Sequence, residues 1–438
     1  MPAAARARRV PPRARGGVGV ALAGGGLLGA AYELGALAAL DEAVDGLDLT
    51  ALDACVGVSA GAFIAAGLAH GRTPRQMVRL FIEDAEAALD PAAVLGPSAR
   101  LWRRLGAAAP GMLRAALQAA ALARARGSTD TALDALERVA RSLPIGLFDP
   151  SPFERALERL FSQQPGGNDF RRLGTQLRIV ATDLDRGCAV EFGAPGLDAV
   201  PISRAVIASA AVPGVFAPVS IGGRDYVDGA LTKTLHASVA LDQGVSLLFC
   251  INPLIPFSGS PGARPGMIAR AGLPTILSQS FRTMIRSRMS TGLEKYRVTH
   301  PRATLVVLEP RADDAALFFT RIFTIAARRR VCEQAYQHTR QDLLRRASEL
   351  APALAAHGLR LNTAVLRNPQ LRLVDFSRPA LTAPRGSLAD AVASLGKTVG
   401  DIEHALRLHR STPAGQDTPA RATPPRGARQ PARGAARA

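Results

Sequence analysis

Ser59 lies in Gly57-Val58-Ser59-Ala60-Gly61, between an apolar run, Leu52-Asp53-Ala54-Cys55-Val56, and a helix-like run from Ala62 to Leu68. A G-x-S-x-G on a strand-to-helix turn is the sequence of a nucleophile elbow, where a strained bend lifts the serine hydroxyl out of the sheet. Gly57 and Gly61 leave room for neighbouring backbone at that bend. The helix that follows aims its N-terminal amides and the positive end of its dipole at any anion formed there. As a bare pentapeptide in an Ala- and Gly-rich chain, the pattern equally describes an inert turn. Its strand and helix flanks are what point to chemistry.

A serine nucleophile needs donors for the oxyanion that it creates. Val18-Gly19-Val20-Ala21-Leu22 has the short apolar character of a buried strand and runs into Gly24-Gly25-Gly26-Leu27-Leu28-Gly29. A helix pattern follows from about Ala30, with Leu34, Leu37 and Leu40 on one face. Successive glycines can turn several backbone N–H groups toward one point, so Gly24, Gly25 and Gly26, joined by Ala60, are candidate oxyanion donors. The same G-x-G-x-x-G also describes a dinucleotide-binding loop, which expects an acidic residue at the end of the second strand. Here the second strand, Cys55-Val56-Gly57, delivers a serine instead.

The proton acceptor is less obvious. Asp228 follows a hairpin-like Ile221-Gly222-Gly223 in Arg224-Asp225-Tyr226-Val227-Asp228-Gly229-Ala230. An aspartate before Gly-Ala at a strand end is ordinarily a turn residue capping the next helix. His236 and His300 follow Asp228 in the order that a Ser-Asp-His triad requires, which keeps an α/β-hydrolase esterase as an alternative. That fold normally sets its elbow after several strands, whereas Ser59 follows the second. A catalytically silent lipid-binding scaffold is a third reading.

The glycine loop Gly24–Gly29, the elbow Gly57–Gly61 and Asp228-Gly229-Ala230, in that order, resemble the patatin-like phospholipase family. Ala208-Ser209-Ala210-Ala211-Val212-Pro213-Gly214-Val215-Phe216-Ala217-Pro218 and the strand Ala181-Thr182-Asp183-Leu184 are similar to further segments of that family. The resemblance covers about residues 17–345. It implies a three-layer α/β sandwich, a mostly parallel sheet with helices on both faces. It also implies hydrolysis of lipid acyl esters by a Ser-Asp dyad without histidine. By position, Ser59 is then the nucleophile and Asp228 its general base, with Gly24, Gly25, Gly26 and Ala60 at the oxyanion and Gly29, Gly57, Gly61 and Gly229 as motif glycines. Leu28 departs from the family, many of whose members carry Lys or Arg just before the last glycine of the first loop. That puts a preference for phosphate-bearing lipids in doubt and leaves ester hydrolysis intact. Neither a cofactor nor a metal is implied.

The elements that must position these residues are legible as apolar runs at Val18–Leu22, Ala54–Val56, Leu177–Thr182, Ser246–Ile251 and Thr304–Leu308. Helical patterns between most of them argue a largely parallel sheet covered on both sides. From Met77 to Leu160 the chain has helical character broken by prolines, and such an insertion after the elbow helix could cap the site. Within it Leu101–Leu105 and Met112–Arg126 are basic and amphipathic and hold the only tryptophan, Trp102; docking on the chain's own domain is the plainer reading beside a membrane interface. Residues 346–409 are expected to form a helical extension, with a capping box at Ser387-Leu388-Ala389-Asp390 and a stripe through Val392, Leu395, Val399, Ile402 and Leu406.

With 438 residues and 47% hydrophobic content, the chain can bury one large α/β core with extensions. Cys55, Cys188, Cys250 and Cys332 lie far apart, outside any metal-ligand spacing, and the first three fall in apolar runs. They are expected to be buried free thiols in a reducing, cytoplasmic setting. The formal charge of +18 concentrates in segments 1–16 and 410–438, which lack the apolar content to fold and are expected to be disordered. Their arginines suit an anionic membrane surface, at about 1 kcal/mol per basic residue. Without interleaved aromatics they make no specific nucleic-acid site. Arginines followed by Val18–Leu28 imitate a secretory signal, but cleavage there would remove the first strand and the glycine loop. Neither a cleavable signal nor a membrane-spanning helix is expected, and the partners are lipid esters at a membrane or micelle surface.

Overall fold

The computed structural model describes residues 16–83, 146–259, 266–314, 317–318 and 325–373. All of them belong to one compact unit, Met1–Arg378, and a second unit, Pro379–Ala438, lies outside them. The basic terminal segments, the amphipathic stretches around Trp102 and the Ser387 capping box also fall outside.

The apolar runs form the parallel body of an eight-stranded sheet. β1 (Gly17–Leu22), β3 (Ala54–Val58), β5 (Gln176–Asp183), β10 (Val245–Ile251) and β11 (Thr304–Leu308) pair side by side in the order β11-β10-β1-β3-β5. A two-residue strand, β2 (Val44–Asp45), and another short one, β4 (Gly146–Phe148), stand outside this sheet. Three strands join it antiparallel to their neighbours: β6 (Cys188–Phe192) on β5, β9 (Arg224–Asp228) on β5, and β8 (Val219–Ile221) on β9. The last two form the hairpin anticipated at Gly222-Gly223. The fold is therefore a mixed, mostly parallel sheet.

Both faces are buried, as unbroken apolar strands require. Val20, Leu22, Cys55 and Ile179 point to one side, against α1 (Gly26–Ala43), α2 (Ala60–Ala69) and the helix Ile325–Arg345. Their neighbours Ala21, Val56, Val58 and Val180 point to the other, against Val239 and Leu241 of a short helix and Met289 and Tyr296 of the helix Leu273–Thr299. Helices thus cover both faces.

Three expectations need correction. The first helix begins at Gly26, one turn before Ala30, because the glycine at φ 59 completes the turn into it rather than extending the loop. Gly146–Phe148, expected within a helical run over 77–160, is β4, which pairs in parallel with β7 (Gly214–Phe216); residues 84–145 of that run lie outside the described residues. Cys188 is exposed, whereas Cys55, Cys250 and Cys332 are buried. It opens the edge strand β6 straight after the turn closed by Gly187 N–H on the Asp183 carbonyl, at 2.9 Å, so its local apolar run is not covered. Among the described residues no helix is long and apolar enough to cross a membrane.

α1 and the helix Ile325–Arg345 cross in backbone contact at Gly35, where a Cβ would lie 2.2 Å from the Cys332 carbonyl oxygen and 2.9 Å from the Tyr336 nitrogen. Gly35→Ala is therefore expected to lose about 1–3 kcal/mol in urea unfolding, since neither neighbour is a flexible side-chain end. Gly292→Ala, in a helix where a Cβ meets nothing within 4 Å, should be neutral or gain up to about 1 kcal/mol.

Candidate active site

Ser59 ends β3 and caps α2 with φ 53 and ψ −120, the one non-glycine residue at positive φ among those described. A Cβ-bearing residue held there carries about 1–3 kcal/mol of strain, which the surroundings must hold in place. They do so through close backbone contacts. A Cβ at Gly57 would lie 2.4 Å from the Gly61 oxygen, and one at Gly61 would lie 2.6 Å from the Ala23 oxygen. Ser209, fully buried, braces the bend from outside: its Oγ accepts the Ser59 N–H at 2.8 Å and donates to the Val180 carbonyl at 2.6 Å. Ser209 lies in a family-like segment, but its role is invisible in sequence because it acts across 150 residues.

The glycine loop lies directly against the elbow. A Cβ at Gly24 would stand 3.2 Å from the Ser59 Cβ and 3.4 Å from that of Ala230. Gly25 precedes the first turn of α1, whose opening N–H groups have no partner within the helix. Neither α1 nor α2 carries an acidic residue in its first turn or a side-chain cap, so both N-termini face the Ser59 region with uncompensated donors. Leu28 is packed into the core. Glu33, one turn further along α1, is completely buried with neither carboxyl oxygen hydrogen-bonded, and burial lifts its carboxyl well above the usual range.

Register brings Asp228 to this point. On one edge of β5, Val58 pairs with Val180 and Asp228 pairs with the next residue, Ala181. β6 occupies the opposite edge over residues 179–183, so β9 continues the line that β3 leaves when it turns at Ser59. Gly229 permits the junction, because a Cβ there would lie 2.2 Å from the Val180 oxygen. The Asp228 backbone is fixed by its N–H on the Ala211 carbonyl at 3.0 Å and by Thr182 Oγ1 donating to its carbonyl at 3.0 Å. Oδ1 accepts the Ala230 N–H at 2.8 Å. Burial pushes the Asp228 carboxyl up from 3.8 to about 6, opposed by hydrogen bonding from the Ser59 hydroxyl and from Ala230.

The structure thus brings Ser59, Asp228, Gly24 and Ala230 together, and no hydrogen bond or ion pair links His236 or His300 to Ser59 or Asp228. His236 stands at the N-cap of the short helix Ala237–Leu241 with its buried Nε2 unpartnered; burial, then the Lys233 charge, push it down to about 4. His300 Nε2 lies 3.1 Å from Asp242 Oδ1, at the far end of the helix Leu273–Thr299. Among the described residues no group of three His, Cys, Asp or Glu side chains is arranged to hold a metal.

A sequence model of the patatin-like phospholipase family matches residues 20–241, just over half of the 438 residues. Among solved structures the chain is similar to VipD from Legionella pneumophila, with 17% identity and a TM-score of 0.36 over 75% of this chain and 66% of that one. The type III effector protein ExoU gives 20% identity and a TM-score of 0.31 over 77% of this chain and 54% of that one. Full-length ExoU bound to SpcU from the type III secretion system of Pseudomonas aeruginosa gives 18% identity and a TM-score of 0.28, over 74% and 52%. The chain spans about half to two thirds of the length of these structures.

Two outcomes follow from the geometry without any assay of turnover. Ser209→Ala leaves the Ser59 N–H buried without its acceptor and should cost about 1–3 kcal/mol in urea unfolding. Asp228 has a raised folded pKa, so its contribution to stability is complete below its ordinary 3.8 and is lost as the pH rises through about 6. Asp228→Asn escapes that loss and keeps an acceptor for Ala230. Relative to the parent it should gain about 1–3 kcal/mol between about pH 4 and pH 8 in urea midpoints.

Proposed function

We propose that this chain, which belongs to the patatin-like phospholipase family, is a serine acyl hydrolase that cleaves lipid carboxyl esters of phospholipase A or lysophospholipase type through Ser59 and Asp228. The observation that carries the reading is the register of β9. It sets a buried carboxyl at the residue position following Val58 on the same edge of β5, facing a strained serine.

In the proposed reaction Ser59 Oγ attacks the ester carbonyl and forms the acyl–oxygen bond, while its proton passes to Asp228. The Gly25 and Gly26 amides, with that of Ala60, hold the oxyanion. Collapse of that intermediate breaks the original ester bond, and the proton held by Asp228 goes to the departing alcohol. Water then attacks the acyl-enzyme and gives its proton to Asp228; the acyl–Ser59 bond breaks, the acid leaves, and Asp228 returns the proton to Ser59 Oγ. A carboxylate of ordinary pKa is a weak base for a hydroxyl. Burial makes Asp228 more basic while leaving it ionised at neutral pH. The Ala230 N–H occupies one carboxylate oxygen and leaves the other to take the proton. The role is turnover or catabolism of membrane lipids, and the basic terminal segments add contact with anionic membranes.

Labelling and kinetics test this directly. A serine-directed fluorophosphonate should label the parent and fail on Ser59→Ala. With a soluble short-chain ester, Ser59→Ala and Asp228→Asn should each lose about 10³-fold or more, and the double variant should be no worse than either. His236→Ala and His300→Ala, checked for folding, should retain most activity. In the parent, kcat/KM should rise with pH to a plateau with a midpoint near 6, since only ionised Asp228 accepts the proton. Collapse of turnover in a folded His236 or His300 variant would replace the dyad with a triad.

A further inference from the structure

The turn that carries Asp228 has a second side. Between Ala230–Leu235 and the helix Leu273–Thr299 lies a cavity of ≈ 590 Å³, within the size range of small-molecule sites. Neither Ser59, Asp228 nor the glycine loop lines it, and its shared wall with the catalytic centre is Ala230. The inner surface is mainly apolar, built by Leu235, Ile285, Met289 and Leu293. Three cations stand around it on exposed positions: Lys233, Arg288 and Lys295. Arg288 is steered there by a hydrogen bond to the Leu231 carbonyl at 3.2 Å, and among the described residues neither lysine forms an ion pair. The one lining carboxylate, Asp242, is bonded to His300.

In a chain whose basic residues are otherwise arginines, Lys233 and Lys295 are two of only three lysines, and both meet here. A compact ammonium on a flexible stem can follow a small anionic head as it enters. An apolar chamber ringed by cations suits a ligand with one apolar chain and one anionic head. A neutral amphiphile would leave the ring unused, and a cationic one would be repelled.

We propose that this cavity is a binding site for one single-chain anionic amphiphile, its chain between Leu235, Met289 and Leu293 and its head at Lys233, Arg288 and Lys295. A carboxylate head would come from a free fatty acid and a phosphate head from a single-chain phospholipid. The site is read by binding rather than turnover, so it stands or falls apart from the hydrolytic reading.

The test uses the full chain carrying Ser59→Ala, titrated calorimetrically below micellar concentrations with decanoate, decyl phosphate, decyl glucoside and decyltrimethylammonium. At least one anion should bind at about one equivalent and about tenfold tighter than the glucoside. Decanoate alone assigns a fatty acid, decyl phosphate alone assigns a phosphate head, and both together assign the shared chemistry. The combined Lys233→Gln, Arg288→Gln and Lys295→Gln variant should lose the preference for anions. Gly292→Phe places a ring in the cavity from a position where a Cβ meets nothing, and should weaken every ligand about tenfold. The proposal is overturned if neither anion outbinds the glucoside, or if either variant, folded by circular dichroism, binds as the parent does.

Discussion

The structure depends on a change of strands along one edge of β5. β3 pairs with β5 through Val58 and then leaves at Ser59; β9 arrives from the opposite direction and takes up the edge at Ala181. A strand end exposes N–H and C=O groups that must be paired when buried. Filling that vacancy with β9 satisfies them and sets Asp228 against the serine by the same act. The junction admits no side chain at Gly229, where a Cβ would lie 2.2 Å from the Val180 oxygen. The Ser59–Asp228 geometry and sheet completion are therefore one constraint.

That constraint is reinforced from a distance. Ser59 stores backbone strain, and a strained residue persists only where its surroundings over-determine it. The hydroxyl of Ser209 ties the Ser59 amide to the β5 backbone at Val180, the residue that also pairs with Val58. β5 thus holds both strand ends and the brace. A loosened β5 would release the serine, the carboxyl and the bend together, which makes this strand the rigid reference of the site.

Much of this was legible in sequence because the signals are local. Strand-like runs at Val18–Leu22, Ala54–Val56 and Thr304–Leu308 announce themselves by apolar continuity, and the Gly222-Gly223 hairpin by its turn residues. The elbow showed through Gly57 and Gly61, whose lack of a side chain is forced by contacts only a few residues away in the chain or in the neighbouring strand. What sequence hid is what depends on distant partners. Cys188 sits in an apolar run yet opens an edge strand, and nothing local says which strands become edges. Gly146–Phe148 is a strand because Gly214–Phe216 lies beside it. Ser209 is one serine among small residues until the fold brings it beneath the elbow, and Lys233 and Lys295 meet only when two segments separated by some sixty residues pack together.

The electrostatics of the site set two demands against each other. Helix N-termini beside Ser59 favour negative charge, each worth up to about 2 kcal/mol when partly buried. That field suits an oxyanion but also stabilises ionised Asp228, which would lower its basicity. Hydrogen bonds from Ser59 and Ala230 push in the same direction. Desolvation opposes all of them and prevails, since the carboxyl settles near 6 rather than below 3.8. A more polar setting would return Asp228 to an ordinary acid, and an apolar one without the Ala230 amide would leave it protonated at neutral pH. Either way Asp228 would be a poor acceptor for the proposed dyad. The apolar floor under the Asp228 turn is made by Val58, Val180 and Ala230, and the first two also close the strand junction. Packing that completes the sheet is thus also what raises the Asp228 carboxyl.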